Sequence, residues 1–333
     1  MSDLPSRKPS LLYGLLACSL ALNVVMLLNR RASEEPDGPP AAESPAQVSA
    51  ETGTNGDAAG LPAAGEPEPG SLPTAEWKVL GGNVEQSLAR TFQLEGGEDG
   101  DALASVFTRL FVWDLDLRRD LQAGDSFAVV WRKAPDGLPE IAAGSLQSRK
   151  LGRTVAAYRW QAPGDLFPSY WHLDGTEAPL RLKDGPLAQY EQVTSLLKDR
   201  PTHKGMDFKT PVGTEVSAPR SGTVTRANWN WSANGNCIEI RYDDGVLAKF
   251  LHLSENRVKE GERVSVGQVI ALSGNTGHST APHLHYQLDR GDQTLDPLDY
   301  HGTVRRSLDA GQVASLQRDV AGFEKMLGGA TSR

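Results

Sequence analysis

The feature that most constrains the fold is a series of short β-rich segments between about residues 189 and 300. GTEVSAP, SGTVTRA, CIEIRY, LAKFLHL and VIALSG follow one another closely, with glycine-containing turns between them. Short strands separated by turn residues, without a long helix, are typical of antiparallel β domains. We therefore predict an all-β, mostly antiparallel domain over residues 186–302, called the all-β domain below.

The preceding region, residues 76–185, has a mixed pattern. VEQSLARTF and ALASVFTRLFVWDLDLRRDL carry apolar residues at three- and four-residue spacing, which predicts helices. GDSFAVVWRK, IAAGSL and TVAAYRW are predicted strands. The region has one histidine, His172, and no cysteine cluster, so nothing in it indicates a metal or a nucleophile. We predict a small α+β module, the upstream module, with an accessory or regulatory role: binding, positioning or occluding.

An uncharged apolar run, residues 11–28, lies between two pairs of basic residues near the N-terminus. It is long enough to span a bilayer core and too long for the apolar region of a signal peptide. We predict an N-terminal transmembrane anchor over residues 1–31, and the basic residues at both ends leave its orientation open. The alternative is a lipoprotein cleavage box, Leu-Leu-Ala-Cys, ending at Cys18, but the apolar run continues for about ten residues beyond that cysteine.

The two remaining segments are a linker and a C-terminal tail. Residues 32–75 consist mainly of Pro, Ala, Glu, Gly and Ser without an aromatic residue, which predicts a disordered linker because too little apolar surface can be buried. Residues 303–333 are a predicted C-terminal amphipathic helix and tail that pack back on the body of the protein. The apolar stripe of this helix comprises Val313, Leu316, Val320, Phe323 and Leu327.

Charge and cysteine positions argue against a nucleic-acid partner and against an intramolecular disulfide. The 34 basic and 42 acidic residues give a net charge of −8, and no basic stripe suits a phosphate backbone, so nucleic acid is not an expected partner. Cys18 lies in the apolar run and Cys237 in a strand-like segment, so an intramolecular disulfide is not expected. Cys237 is predicted to be a small buried hydrophobic residue.

Five of the seven histidines lie between residues 203 and 285, inside the all-β domain. Because strand side chains alternate between faces, His283 and His285 should point the same way. Catalytic zinc needs three protein ligands, with ligand atoms about 3 to 3.5 Å apart. A flat strand would separate His203 from Asp207 by about 13 Å, so a turn at Lys204–Gly205 is needed to bring both to one ion. The third ligand is then His285 or His283.

The nearest competing zinc-peptidase signature, His-Glu-x-x-His, does not occur in the sequence. A hydrolase without that glutamate needs another base, and histidine is suited to proton transfer near neutral pH. His252, together with whichever of His283 and His285 is not a ligand, is the candidate for this role.

Three separated motifs, HKGMDF, FLHL and GNTGHSTAPHLHYQL, occur in the order found in one family. Together they resemble the lysostaphin-type (LytM-type) zinc metallopeptidases that cut peptide bonds in peptidoglycan. The resemblance implies one Zn²⁺ per chain at the floor of a groove between β-sheets. It makes three residues the zinc ligands and two the catalytic pair that activates water and stabilises the oxyanion. The ligands are His203, Asp207 and His285, and the catalytic pair is His252 and His283.

The upstream module extends the resemblance. LFVWDLDLRRDLQAGDSFAVVWRK and the following AAYRW are similar to the domain that precedes the peptidase in membrane-anchored Gram-negative murein endopeptidases. This similarity implies a single-pass protein of the inner (cytoplasmic) membrane, with a cytoplasmic N-terminus before the anchor and its catalytic domain in the periplasm.

The expected function is therefore zinc-dependent hydrolysis of the peptide cross-links of peptidoglycan. The alternative is a non-hydrolytic zinc-binding activator or scaffold for other cell-wall hydrolases. The expected partners are peptidoglycan stem peptides and, through the N-terminal helix, the inner membrane. Regulators of cell-wall synthesis or hydrolysis are further candidate partners.

Overall fold

The computed structural model describes residues 77–135, 137–197 and 199–330. These residues belong to one compact unit that spans residues 74–333. The predicted transmembrane helix and the predicted linker lie outside the described residues. Within the described part, no helix is both long and apolar enough to cross a membrane.

The structure contains five α-helices and eighteen strands within the described residues. The helices are α1 (Leu88–Glu95), α2 (Gly100–Phe111), α3 (Trp231–Asn234), α4 (Pro297–His301) and α5 (Ala310–Ala330), with a 3-10 turn at Gly97–Asp99. The strands of the upstream region are β1 (Lys78–Asn83), β2 (Ser126–Lys133), β3 (Pro139–Ser148), β4 (Arg153–Trp160), β5 (Ser169–Trp171) and β6 (Arg181–Leu182).

The later strands are β7 (Gln192–Ser195), β8 (Met206–Lys209), β9 (Glu215–Ser217), β10 (Gly222–Ala227), β11 (Asn236–Tyr242), β12 (Leu247–Leu253), β13 (Glu255–Asn256), β14 (Arg263–Val264), β15 (Val269–Leu272), β16 (His283–Arg290), β17 (Gln293–Leu295) and β18 (Thr303–Val304).

The upstream module is built on an antiparallel sheet in the order β1-β2-β3-β4-β5. Side chains of β2 alternate between two cores, because successive residues of a strand face opposite sides. Phe127 packs on one face against α1 and α2, and Val130 packs on the other face in a cluster with α5. The buried residues of α5 are Leu316, Val320, Phe323 and Leu327. The predicted C-terminal helix is therefore confirmed, and it completes the core of the upstream module.

The predicted helix over residues 102–121 is wrong in its second half, because α2 ends at Phe111. The following residues form turns held by aspartate side chains. Arg118 N donates to Asp116 Oδ1 at 3.1 Å, and Asp116 N donates to Asp120 Oδ2 at 3.0 Å. Such local bonds compete with the helical backbone pattern, which explains the early end of the helix.

The all-β domain is mostly antiparallel, as predicted. Its main sheet has the order β14-β10-β11-β12-β16-β8-β7, with β17 paired to β16, and a smaller sheet has the order β13-β15-β9. The core between them contains Phe208, Phe250, Leu284 and Tyr286, all of them buried. Cys237 is fully buried in β11, as the sequence predicted. Strands β12, β16 and β8 lie side by side, and they position the candidate site.

Candidate metal centre

The register of three neighbouring strands sets the site. In the β16–β8 pair, His285 lies directly opposite Asp207, and in the β12–β16 pair it lies opposite Leu251. Leu284 points to the other face, where it is fully buried in the core. The prediction that His283 and His285 share one face of a strand is confirmed.

A turn before β8 brings His203 to the same place. Gly205 lies in a bend between His203 and the first residue of β8, as the sequence predicted. Only glycine fits there: a Cβ at residue 205 would lie 2.5 Å from Tyr286 O and 2.8 Å from His285 Nε2. The glycine therefore allows the turn to pack directly against the His285 ring.

His203, Asp207 and His285 form a cluster that could hold a metal ion, with one ligand atom of each within 4.8 Å of the others. His203 Nε2 lies 3.1 Å from Asp207 Oδ2, and His285 Nδ1 lies 2.7 Å from Asp207 Oδ1. His203 Nε2 is buried, and among the described residues it has no hydrogen-bond partner. An orphaned imidazole nitrogen beside a carboxylate fits a cation site, because a buried polar atom otherwise needs a partner.

Backbone contacts fix the ring of His203. Its Nδ1 lies 2.8 Å from Leu196 O, and because a carbonyl only accepts, Nδ1 carries the proton. This leaves the lone pair on Nε2, the atom that faces Asp207. The guanidinium of Arg200 also lies near the carboxylate, with Nη2 3.5 Å from Asp207 Oδ2.

The cluster is electrostatically suited to a cation. Burial alone would raise the pKa of the Asp207 carboxyl, but the neighbouring imidazoles of His203 and His285 outweigh it and hold the pKa far below its usual range. Burial likewise opposes protonation of His203, but the neighbouring Asp207 carboxylate raises its pKa above the ordinary value. Asp207 is therefore a carboxylate at any physiological pH.

His252 and His283 form a second pair beside this cluster, with ring centroids 4.7 Å apart. His252 has a left-handed backbone conformation with φ 64°, which is uncommon for a residue other than glycine. Its Nδ1 donates to Thr276 O at 2.9 Å, which leaves Nε2 as the acceptor. Burial and the nearby His283 lower the pKa of His252 to about 4, so its ring is neutral at pH 7.

His283 is held through the same ring nitrogen as His252. Its Nδ1 lies 2.8 Å from Ala281 O and 3.1 Å from Ser279 Oγ, and its Nε2 lies 3.9 Å from Asp207 Oδ1. The structure thus brings all five predicted site residues together. His278 is not part of this cluster, because its side chain is exposed on a neighbouring loop.

The contacts that orient these rings were not predicted from the sequence. The carbonyls of Leu196 and Thr276 have no sequence signature, since any residue supplies one. Arg200 and Ser279 lie within four residues of His203 and His283, and this proximity was the only available signal.

The chain is similar to known peptidases over the region that contains this site. Residues 201–297 match the model of Peptidase family M23. Peptidoglycan DD-endopeptidase ShyC of Vibrio cholerae is 32% identical over 195 residues, which is 54% of this chain and 42% of the relative. Peptidoglycan DD-endopeptidase ShyA of the same organism is 32% identical over 228 residues, 64% of this chain and 51% of the relative. The chain thus spans about half the length of these curated relatives.

Among solved structures, the catalytic domain of the antimicrobial peptidase lysostaphin from Staphylococcus simulans is 35% identical. The match covers 37% of this chain and 90% of that domain, with a TM-score of 0.29. The match to Peptidase family M23 and the two curated relatives confirm the resemblance carried by the three histidine motifs. Residues 201–297 of the chain therefore match a Peptidase family M23 domain.

Proposed function

We propose that the chain is a zinc-dependent endopeptidase that hydrolyses the peptide cross-links of peptidoglycan. The observation that carries this proposal is the cross-strand pairing of Asp207 with His285. It places a carboxylate beside an imidazole on a rigid sheet, and His203 completes the cluster from the adjoining turn. A second pair of histidines lies beside the cluster.

Zinc is the ion that these donors suit best. Two imidazoles and one carboxylate are a usual ligand set of catalytic zinc, which keeps a further position open. His203, Asp207 and His285 would hold one ion per chain. A bound zinc ion supplies a Lewis acid and lowers the pKa of a coordinated water.

His252 and His283 are the proposed acid–base pair. In both rings Nδ1 faces a backbone carbonyl, of Thr276 and Ala281 respectively, so the neutral ring offers Nε2 as a proton acceptor. Once protonated at Nε2, the same ring becomes a donor for the oxyanion or the leaving amine. The low pKa of His252, about 4, keeps this ring in the accepting state at neutral pH.

The substrate assignment is supported by the relatives, two of which are named peptidoglycan DD-endopeptidases. The net charge of −8 would not attract an anionic polymer, so binding must come from the shape of the groove. We place the catalytic domain in the periplasm, held to the inner membrane by a helix over residues 11–28. The length of the apolar run supports the membrane anchor, and the periplasmic side rests on the similarity of the upstream module to that of membrane-anchored murein endopeptidases.

Digestion of cross-linked muropeptides tests the proposal. With zinc, the purified protein should convert cross-linked dimers to monomers, and His203→Ala or His283→Ala should abolish the conversion. His278→Ala, which changes an exposed histidine of the neighbouring loop, is the matched control and should retain activity. If the wild-type protein bound zinc and released no new amino groups, but stimulated a separate amidase, the activator function would replace the enzymatic one.

A further inference from the structure

One side chain of the upstream module reaches the loop that carries His203. Arg109 lies in the last turn of α2, and its Nη2 donates to Asp199 Oδ2 and, at 3.4 Å, to Thr194 O. Its helix neighbours Phe107 and Leu110 are buried in the core of the module. The guanidinium is therefore anchored on a packed helix, and it contacts the end of β7 and the loop between β7 and β8.

Asp199 organises that loop. Its Oδ2, which accepts from Arg109, also accepts from Leu196 N at 2.8 Å. In return Asp199 N donates to Leu196 O at 3.2 Å. The carboxylate thus closes a tight turn around Leu196, and Arg109 fixes this carboxylate from the side of the upstream module.

The turn ends at the metal centre. Leu196 O, besides accepting from Asp199 N, accepts from His203 Nδ1 at 2.8 Å. This bond determines which nitrogen of His203 carries the proton and how the ring is turned. The opposite nitrogen, Nε2, is the orphaned atom 3.1 Å from Asp207 Oδ2.

From these contacts we infer that Arg109 is a positioning residue for the metal centre, acting on His203 through Asp199 and the carbonyl of Leu196. The upstream module then helps to hold His203 in its orientation. The Arg109–Asp199 pair is 22% and 32% exposed, and ion pairs this exposed add little to folding stability. Its main consequence is geometric, because groups that orient a ligating histidine tune metal affinity.

Metal binding by the full-length protein tests the inference, which rests on the proposed zinc site. Zinc affinity is measured by competition with a chelator, and Co²⁺ substitution gives an absorption spectrum that reports ligand geometry. Arg109→Ala and Asp199→Asn should each weaken zinc binding about 10-fold, in the range for residues that support a metal ligand, and should alter the cobalt spectrum. Arg109→Lys keeps one donor for Asp199 and should restore most of the affinity.

Arg305→Ala is the matched control. Arg305 Nη1 forms a comparable ion pair with Asp114 Oδ1 at 2.7 Å, and its two acceptors, Asp114 and Trp113, both lie outside the loop between β7 and β8. This variant removes an ion pair of similar exposure and should leave zinc affinity and the cobalt spectrum unchanged.

Two results would overturn the inference: wild-type affinity and spectrum in Arg109→Ala, or an equal loss of affinity in Arg305→Ala. A wild-type protein that bound no metal would overturn both this inference and the proposed function. Zinc binding without hydrolysis would overturn the proposed function alone, because the readout here is binding.

Discussion

Asp207 and His285 are direct partners across the β8–β16 ladder, and the core beneath them determines that pairing. On the opposite face, the next pair in the register is Phe208 with Leu284, both buried. A slip of one residue would move every side chain of one strand to the other face. It would turn a histidine into the apolar core and move it away from the carboxylate. The packing that stabilises the sheet therefore also selects the geometry of the metal centre.

The two histidines of β16 should respond differently to mutation. His285→Ala removes a ligand atom 2.7 Å from Asp207, so zinc affinity and activity should fall together. The loss of affinity should exceed the roughly 10- to 100-fold loss caused by removing a supporting residue. His283→Ala should leave zinc bound and lower turnover about 100- to 10,000-fold, the usual contribution of acid–base catalysis. Chelator competition and release of amino groups from muropeptides measure the two effects, and equal loss of zinc in both variants would contradict this division.

Gly205→Ala should damage the site although it removes none of the site's polar groups. The added Cβ would lie 2.5 Å from Tyr286 O and 2.8 Å from His285 Nε2, so the turn or β16 must move. We expect a loss of about 1–3 kcal/mol in the free energy of unfolding, together with weaker zinc binding. Urea unfolding and zinc titration measure both.

Gly322→Ala is the control for that substitution. Gly322 is an exposed residue of α5, and a Cβ there meets nothing within 4 Å among the described residues. Alanine is the better helix former, so this variant should gain about 0.5–1 kcal/mol of stability with unchanged zinc affinity. If Gly205→Ala behaved like this control, the close packing of the turn on His285 would be disproved.

The local part of the site could be predicted from the sequence because it depends on short-range geometry. Strand alternation places His283 and His285 on one face, and Gly205 indicates a turn after His203. The pairing of His285 with Asp207 joins residues 78 positions apart. Single-sequence patterns do not determine a register at that distance, and only the resemblance to a family indicated it.

Long-range packing elsewhere in the fold could not be predicted from sequence patterns either. The apolar stripe of α5 predicted an amphipathic helix, but its partner, the sheet of the upstream module, lies far earlier in the sequence. Trp160 Nε1, for example, donates to Asp319 across 159 residues. The end of α2 was missed for a different reason. Apolar spacing continues past Phe111, while aspartate side chains divert the backbone into turns.

Leu316→Ala should destabilise the upstream module. Leu316 is fully buried between α5 and the sheet, so the substitution leaves a cavity and should cost about 2–5 kcal/mol in the free energy of unfolding. Arg318→Ala, on the exposed face of the same helix, should change stability by less than about 0.5 kcal/mol. Urea denaturation measures both, and similar values for the two variants would show that α5 does not depend on this contact.

Glu177 should make stability depend on pH in the acid range. It is fully buried, and it accepts hydrogen bonds from Arg181, Arg306 and Ser169. Burial would raise the pKa of its carboxyl, but the two guanidinium groups outweigh burial and lower it to about 2, from an ordinary value of 4.5. A lowered pKa in the folded state means that the unfolded chain binds the proton first. The stabilisation is therefore complete above about pH 4.5 and is lost as the pH falls towards 2.

Glu177→Gln isolates this contribution. The difference between the two pKa values corresponds to about 3 kcal/mol, so the variant should be less stable than the wild type by this order at pH 7. At pH 3 the unfolded wild-type carboxyl is already protonated, so most of the advantage should be gone. Urea unfolding of both proteins at the two pH values gives the measurement. An equal difference at pH 7 and pH 3 would show that the Glu177 charge does not stabilise the fold, because a contact independent of charge would persist in acid.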